Sequence, residues 1–169
     1  TTLFMPAGRS IGADVHDLLL TPDDTRRFAH MLQEKKEEVA GRLFIHNEVL
    51  YPWLTGLTRE DAGFPPAKIT PIGCTAANSS VYITPQGKIT PCPFLRQYVA
   101  GDLRRQPIGE IWHRSDTLRM FRSITRGDLK GKCGRCELLG DSCYGGCRAA
   151  ALAYSGDLFA EDPLCWKEH

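Results

Sequence analysis

The sequence predicts an α+β protein, with a strand, helix and strand at its N-terminal end, then a β-hairpin followed by cysteine-rich loops and short helices. Three stretches carry that reading. Thr21-Pro22-Asp23-Asp24 opens a helix, Pro85-Gln86-Gly87 sits between two short apolar runs, and five of the seven cysteines fall between Lys132 and Trp166.

The helix is justified by its ends. Thr21 can cap free amides, Pro22 suits the first helical position, and the two acids complement the dipole. Phe28, Met31, Leu32, Lys35 and Val39 follow at spacings of three and four, which predicts one inward face until Gly41 ends the run. Leu3-Phe4-Met5, stopped by Pro6, reads as a strand before this helix, and Leu43-Phe44-Ile45-His46 as a strand after it, which suggests a βαβ unit. His46 reads as a hydrogen-bonded structural residue. Between Thr55 and Pro71 the composition turns to Gly, Pro and charge, with Gly63-Phe64-Pro65-Pro66 near the centre. Adjacent prolines oppose both helix and central strand, so a linker is placed there, over residues 61–72.

Ser80 to Thr84 and Lys88 to Thr90 flank the Pro85-Gln86-Gly87 loop as hairpin strands, with Gly87 taking the positive-φ position. Cys74 precedes the first strand and Cys92 follows the second, so antiparallel pairing brings the two thiols near each other. Ile108, Ile111 and Trp112 share one face of a helical turn. Ser115 or Asp116 caps another helix with Leu118, Phe121 and Ile124 or Thr125 inward and Arg119, Arg122 and Arg126 outward, read as a solvated face. Arg148 to Tyr154 is Ala-rich and helical, ending near Gly156. Cys147 then lies at a helix N-terminus, where the dipole favours a thiolate.

Composition excludes several function classes. With 21 basic and 20 acidic residues the net charge is +1, so no strong field recruits nucleic acid or an anionic membrane, and neither is expected as a partner. Apolar runs are far shorter than the roughly 18 residues of a spanning helix, and no charged-then-apolar leader is present, which predicts a cytoplasmic protein. The 169 residues suffice for one full domain or two small ones, and a chain that opens on Thr1 is expected to be a fragment, a processed chain or part of something longer. Seven cysteines are an odd number, at a density below the roughly 8–10% of short disulfide scaffolds, which fits a reducing compartment and metal-bound thiolates.

The cysteine pattern is Cys74-x12-Gly87-x4-Cys92, then Cys133-x2-Cys136-x6-Cys143-x3-Cys147, then seventeen residues and Cys165. Thiols two residues apart can face one centre, and seven are too many for one four-coordinate ion. A structural zinc site in a binding or peptide-docking module without catalysis is the alternative, since Cys133-x2-Cys136 alone suits zinc. Zinc, however, has no use for Cys74, Cys92 and Cys147.

This arrangement resembles the seven-cysteine pattern of the SPASM domain, the C-terminal extension of radical S-adenosylmethionine (SAM) enzymes that mature peptides or build cofactors and heme. The likeness extends to Ile83-Thr84-Pro85-Gln86-Gly87, Cys92-Pro93-Phe94, Gly109-Glu110-Ile111-Trp112, Gly145-Gly146-Cys147-Arg148, Gly156-Asp157 and Asp162-Pro163-Leu164-Cys165. It covers roughly residues 70 to 166. Many members have five residues where six separate Cys136 from Cys143 here, an insertion that a Gly140-Asp141 turn absorbs.

The resemblance implies residues 1–60 as the C-terminal end of a partial (β/α) barrel and 73–169 as a SPASM domain built around two Fe-S clusters. Cys133, Cys136, Cys143 and Cys165 would hold one auxiliary [4Fe-4S] cluster, and Cys74, Cys92 and Cys147 a second with one iron lacking a protein sulfur. Pro6-Ala7-Gly8-Arg9 resembles a segment near the SAM pocket, which makes Gly8 and Arg9 candidate cofactor-binding residues. The C-x3-C-x2-C triplet that binds the third [4Fe-4S] cluster and SAM in the complete enzyme does not occur in the sequence, so this chain is not expected to be active alone. The implied partners are a peptide or small-molecule substrate, a peptide-binding chaperone, and an electron donor such as flavodoxin or ferredoxin. Sulfatase-maturing members place a proton-accepting Asp where Pro93 stands here, so that role is not carried over.

Overall fold

The computed structural model describes residues 20–35, 38, 75–140 and 143–167. The strands expected on either side of the first helix, the linker, Gly8, Arg9 and Cys74 lie outside the described residues.

Helix α1 spans Pro22–Lys35. Thr21 Oγ1 accepts from the Asp24 amide at 3.1 Å while Asp24 Oδ2 accepts from the Thr21 amide at 3.1 Å, so two otherwise orphaned donors are satisfied reciprocally. Of the expected inward face, the side chains of Leu32 and Val39 lie outside the described residues, and Lys35 is exposed. Thr25 is buried, Phe28 half-buried and Met31 46% exposed. At 3.6 residues per turn Phe28 lies about 60° and Met31 about 120° from Thr25, so among these three described side chains burial falls with angle from Thr25. Its hydroxyl tolerates this because it donates to the Thr21 carbonyl at 3.0 Å.

Strands β1 (Tyr82–Ile83), β2 (Lys88–Thr90) and β3 (Gly101–Asp102) form an antiparallel sheet in that order. Tyr82 pairs with Thr90 and Ile83 with Ile89, while on the other side Lys88 pairs with Asp102 and Ile89 with Gly101. The β1–β2 turn closes through Gly87, whose amide donates to the Thr84 carbonyl at 2.9 Å and whose φ of +76° would strain any other residue. The first strand is shorter than the sequence suggests, because Ser80 leaves the ladder: its hydroxyl donates to the Thr75 carbonyl at 3.2 Å and its own carbonyl accepts from Ala77 at 2.8 Å. Asp102 fixes β3 by accepting from Lys88 Nζ at 2.9 Å and from the Arg104 amide at 3.0 Å, and these partners hold its carboxyl well below the usual carboxylate range, Arg104 first.

Helices α2 (Ile108–Arg114) and α3 (Asp116–Arg122) follow, with Ser115 closing one and capping the other through a 3.4 Å bond from the Leu118 amide. Ile111, Leu118, Phe121 and Ile124 join Ile89 and Leu95 in one apolar core, and the Tyr98 ring meets Phe121 edge-on at 5.4 Å. Ile108 lies on the same side of α2 as the buried Ile111 but is 48% exposed, because it is the first residue of the helix and sits at its open end. Arg122 also departs from the outward set. Its Nε donates to the Ala77 carbonyl and its Nη1 to the Trp112 carbonyl, both at 2.7 Å, with the guanidinium 4.3 Å from the Trp112 ring centroid. The long apolar stem buries while the fork serves carbonyls that water cannot reach.

Arg126–Asp128 forms a single 3-10 turn closed by a capping box between Thr125 and Asp128. Helix α4 (Gly131–Arg135) leads into the cysteine loop, and α5 (Arg148–Ser155) leaves it and ends at Gly156. No described helix is long and apolar enough to cross a membrane.

Candidate metal centre

Helix α4 presents Cys133 and ends on Cys136, whose amide donates to the Cys133 carbonyl at 3.4 Å, so the two thiols of the C-x2-C pair leave one short turn. Arg126 braces that turn: Nη1 donates to the Cys136 carbonyl at 2.8 Å and Nη2 to that of Leu139 at 2.5 Å. The helical pattern assigns this residue to solvent, and it is exposed, while its guanidinium also orders the loop. The chain then doubles back, with Cys143 N–H donating to Leu138 at 2.9 Å and Gly140 N–H to Cys143 at 2.8 Å. The Gly145 amide donates to Cys143 Sγ at 3.3 Å, and Cys147 caps α5 by accepting from the Ala150 amide at 3.4 Å.

The C-terminal segment is fastened over this loop. Lys130 N–H donates to Phe159 at 2.9 Å, Lys132 N–H to Glu161 Oε2 at 2.8 Å, and Lys132 Nζ to the Cys165 carbonyl at 2.5 Å. Asp162 is the centre of the fastening. It is fully buried, its amide donates to Cys133 Sγ at 3.4 Å, Oδ2 accepts from Cys147 N–H at 2.7 Å and Oδ1 from Leu164 N–H at 2.8 Å. Asp162 therefore bonds to one cysteine from each of the two expected ligand sets.

The electrostatics brings four thiols into one neighbourhood. Burial pushes the Cys143 thiol up to about 11; the Gly145 amide opposes the rise, and Cys136, Cys165 and Cys133 add to it. Burial also raises the Cys133 thiol against the Asp162 amide and the Arg148 charge, with Asp162 and Cys136 adding, and it raises Cys165 against the Lys167 amide and Lys132, with Asp162 and Cys133 adding. These interactions link all four thiols. Burial keeps the Cys133, Cys143 and Cys165 thiols protonated, and a cationic centre is what would draw thiolates from them, so the donor set fits a metal assembly. No three His, Cys, Asp or Glu side chains among the described residues close to the spacing of a single metal ion.

Cys92 lies just beyond β2, half-buried against the core, and its carbonyl accepts from the Thr90 hydroxyl at 3.0 Å. Cys147 is likewise half-buried against the core. No disulfide joins any of the six described cysteines. Residue chemistry alone singles out the cysteines but neither Asp162 nor Arg148. The signal for Asp162 is its place before Pro163 and three residues ahead of Cys165, where Asp side chains bond backbone two residues on.

Residues 74–137 match the family model described as SPASM, an iron-sulfur cluster-binding domain. The chain is 41% identical over 93 residues, 55% of its own length, to an AdoMet-dependent heme synthase of Nitratidesulfovibrio vulgaris, and 39% over 93 residues to one of Methanosarcina barkeri. It is 28% identical over 152 residues, 88% of its length, to a PqqA peptide cyclase of a Methylobacterium species. These alignments span 24%, 25% and 36% of the relatives' own lengths, so the chain corresponds to about a quarter to a third of each. The hairpin and the C-x2-C pair both lie within residues 74–137, the segment that is similar to the SPASM iron-sulfur cluster-binding domain.

Proposed function

We propose that this protein is the auxiliary-cluster part of a radical SAM oxidoreductase that modifies a peptide or builds a heme-like cofactor. Cys133, Cys136, Cys143 and Cys165 hold one [4Fe-4S] cluster in this reading, and Cys74, Cys92 and Cys147 a second. What supports it is the similarity of residues 74–137 to an iron-sulfur cluster-binding domain, together with the hydrogen bonds that fasten α4, the following loop and the C-terminal segment around the first four cysteines. Bound there, such clusters supply one-electron transfer or an open iron for a substrate atom. The chain's own residues fix the geometry: Arg126 and Lys132 order the loop and the C-terminal segment, and Asp162 sets the Cys147 amide.

Residues 1–60 form the end of the partial barrel in this reading, 61–72 a linker and 73–169 the cluster domain, with Gly8 and Arg9 at the SAM pocket. Electrons arrive from a small donor such as flavodoxin or ferredoxin, and peptide substrates come with a peptide-binding chaperone. The relatives named for PqqA and for heme support a peptide or porphyrin-like substrate.

Anaerobically prepared protein is expected to carry about eight iron and eight sulfide from these seven cysteines, with visible sulfur-to-iron absorbance. One stoichiometric zinc without that absorbance would replace this reading by a structural zinc module.

A further inference from the structure

Arg148 lies directly after Cys147 at the first position of α5, yet it is only 5% exposed. Its hydrogen bonds go to neutral backbone: Nη1 donates to the carbonyls of Leu158 at 3.1 Å and Ala160 at 2.6 Å, and Nη2 donates to that of Gly145. The Gly145 amide in turn donates to Cys143 Sγ at 3.3 Å, and Ala160 stands two residues before Asp162, whose amide donates to Cys133 Sγ at 3.4 Å. One guanidinium therefore ties the Cys143 loop to the segment that brings Asp162 and Cys165. Nε is also buried and has no hydrogen-bond partner.

A guanidinium is permanently charged and costly to bury, and the carbonyls satisfy its donors without neutralising it. An apolar residue, or an Arg that only needed to clamp carbonyls with its charge in water, would avoid that cost. Two kinds of anion can offset it in this site: the buried Asp162 carboxylate, which opposes Arg148 at Cys133 and whose oxygens accept from the Cys147 and Leu164 amides, and the thiolates that a reduced cluster would hold, whose added charge Asp162 alone does not offset. Asp157, which also feels Arg148, is already paired with Lys130 at 2.7 Å.

We propose that Arg148 is a positioning residue that also acts electrostatically: its buried charge favours the reduced state of the cluster held by Cys133, Cys136, Cys143 and Cys165, while its fork fixes two of the segments that supply those thiols. This rests on the cluster reading above. Removing one buried unit charge close to a cluster is expected to shift its reduction equilibrium by about tenfold, which is about 59 mV for one electron.

The test uses full-length protein purified anaerobically as wild type, Arg148→Gln and Arg148→Lys, with iron and sulfide analysis followed by redox titration read by electron paramagnetic resonance. The signal to follow is the one altered by Cys165→Ala. Arg148→Gln is expected to retain iron with a midpoint potential lowered by about that amount, and Arg148→Lys to keep the wild-type potential. If Arg148→Gln binds no iron, Arg148→Lys loaded at the wild-type potential still supports the charge. An unchanged potential in loaded Arg148→Gln overturns the inference, as does loss of the cluster from both variants, which would leave Arg148 with a packing role alone. Absence of iron and sulfide from the wild type would instead overturn the cluster reading on which the inference rests.

Discussion

A Cβ on Gly146 would overlap the carboxylate of Asp162, so the residue that holds the Cys147 amide also bars any side chain from the position just before it. Gly146 has a φ of +69° besides. The conformational cost and the clash therefore fall on the same position. Gly156 offers the control, with a φ of +75° and open space around its missing Cβ. Gly156→Ala is expected to cost about 1 kcal/mol for its left-handed backbone alone, and Gly146→Ala about 3 kcal/mol or more, with loss of bound iron. Urea denaturation of both variants checks this, and equal destabilisation would remove the steric role given to Asp162.

Asp162→Asn keeps the shape of the side chain but turns one acceptor into a donor. Either the Cys147 or the Leu164 amide, now served at 2.7 and 2.8 Å, would then face an N–H group in a fully buried place. A buried donor left without its charged acceptor predicts a loss of about 2–3 kcal/mol. Thermal unfolding of metal-free protein measures it without reference to the cluster. A loss below about 0.5 kcal/mol would show that the carboxylate does not carry those amides.

The buried thiols give metal-free protein an alkaline limit. Burial moves the Cys143 thiol from its ordinary value of 9.0 to about 11, so the folded state holds this proton more tightly than the unfolded one. Stability from this group is complete below pH 9.0 and falls as pH rises towards about 11, by roughly 3 kcal/mol at most. Denaturant midpoints of metal-free protein between pH 7 and 11 should decline, and the decline should lessen in Cys143→Ser. Metal loading near neutral pH should release protons, since thiols neutral in the free protein become ligands as thiolates. Loading without proton release would contradict the raised thiols.

Arg122 bridges the Ala77 carbonyl and the end of α2 while covering Trp112. Arg122→Ala would orphan two carbonyls and remove a cation–π contact, an expected loss of about 3 kcal/mol. Arg122→Lys should recover less than half of it, because a single ammonium cannot serve both carbonyls in the plane of the fork. Full recovery by Lys would show that charge alone matters here.

What the sequence discloses is local chemistry. Thr21-Pro22, Gly87 and Ser115 act within four residues of themselves, and their caps and turn follow from side-chain type alone. Gly101-Asp102 escapes such reading because neither residue favours a strand; it pairs because Ile89 and Lys88 offer an open edge and because a Cβ at Gly101 would lie 2.7 Å from Ile111. The partners of the arginines escape it for the same reason. Arg122 and Arg126 sit at polar positions of a helical pattern, and only the tertiary fold sets the carbonyls of Ala77, Cys136 and Leu139 beside them. The cysteines are legible by spacing. That Asp162 serves Cys133 and Cys147 together is not, since it depends on closing 29 residues of chain from one side and 15 from the other.

The bond from the Asp162 amide to Cys133 has a consequence for the order of assembly. Bringing those two residues together closes a loop whose entropic cost, beyond a constant, is about 3 kcal/mol, whereas Cys133 and Cys136 meet within a single turn. The C-x2-C pair thus exists as a two-pronged claw before Cys165 arrives. In the reading proposed above, whatever those prongs first grip would be open on one side until the C-terminal segment folds over it, and the last cysteine would act as a latch on cargo already in place.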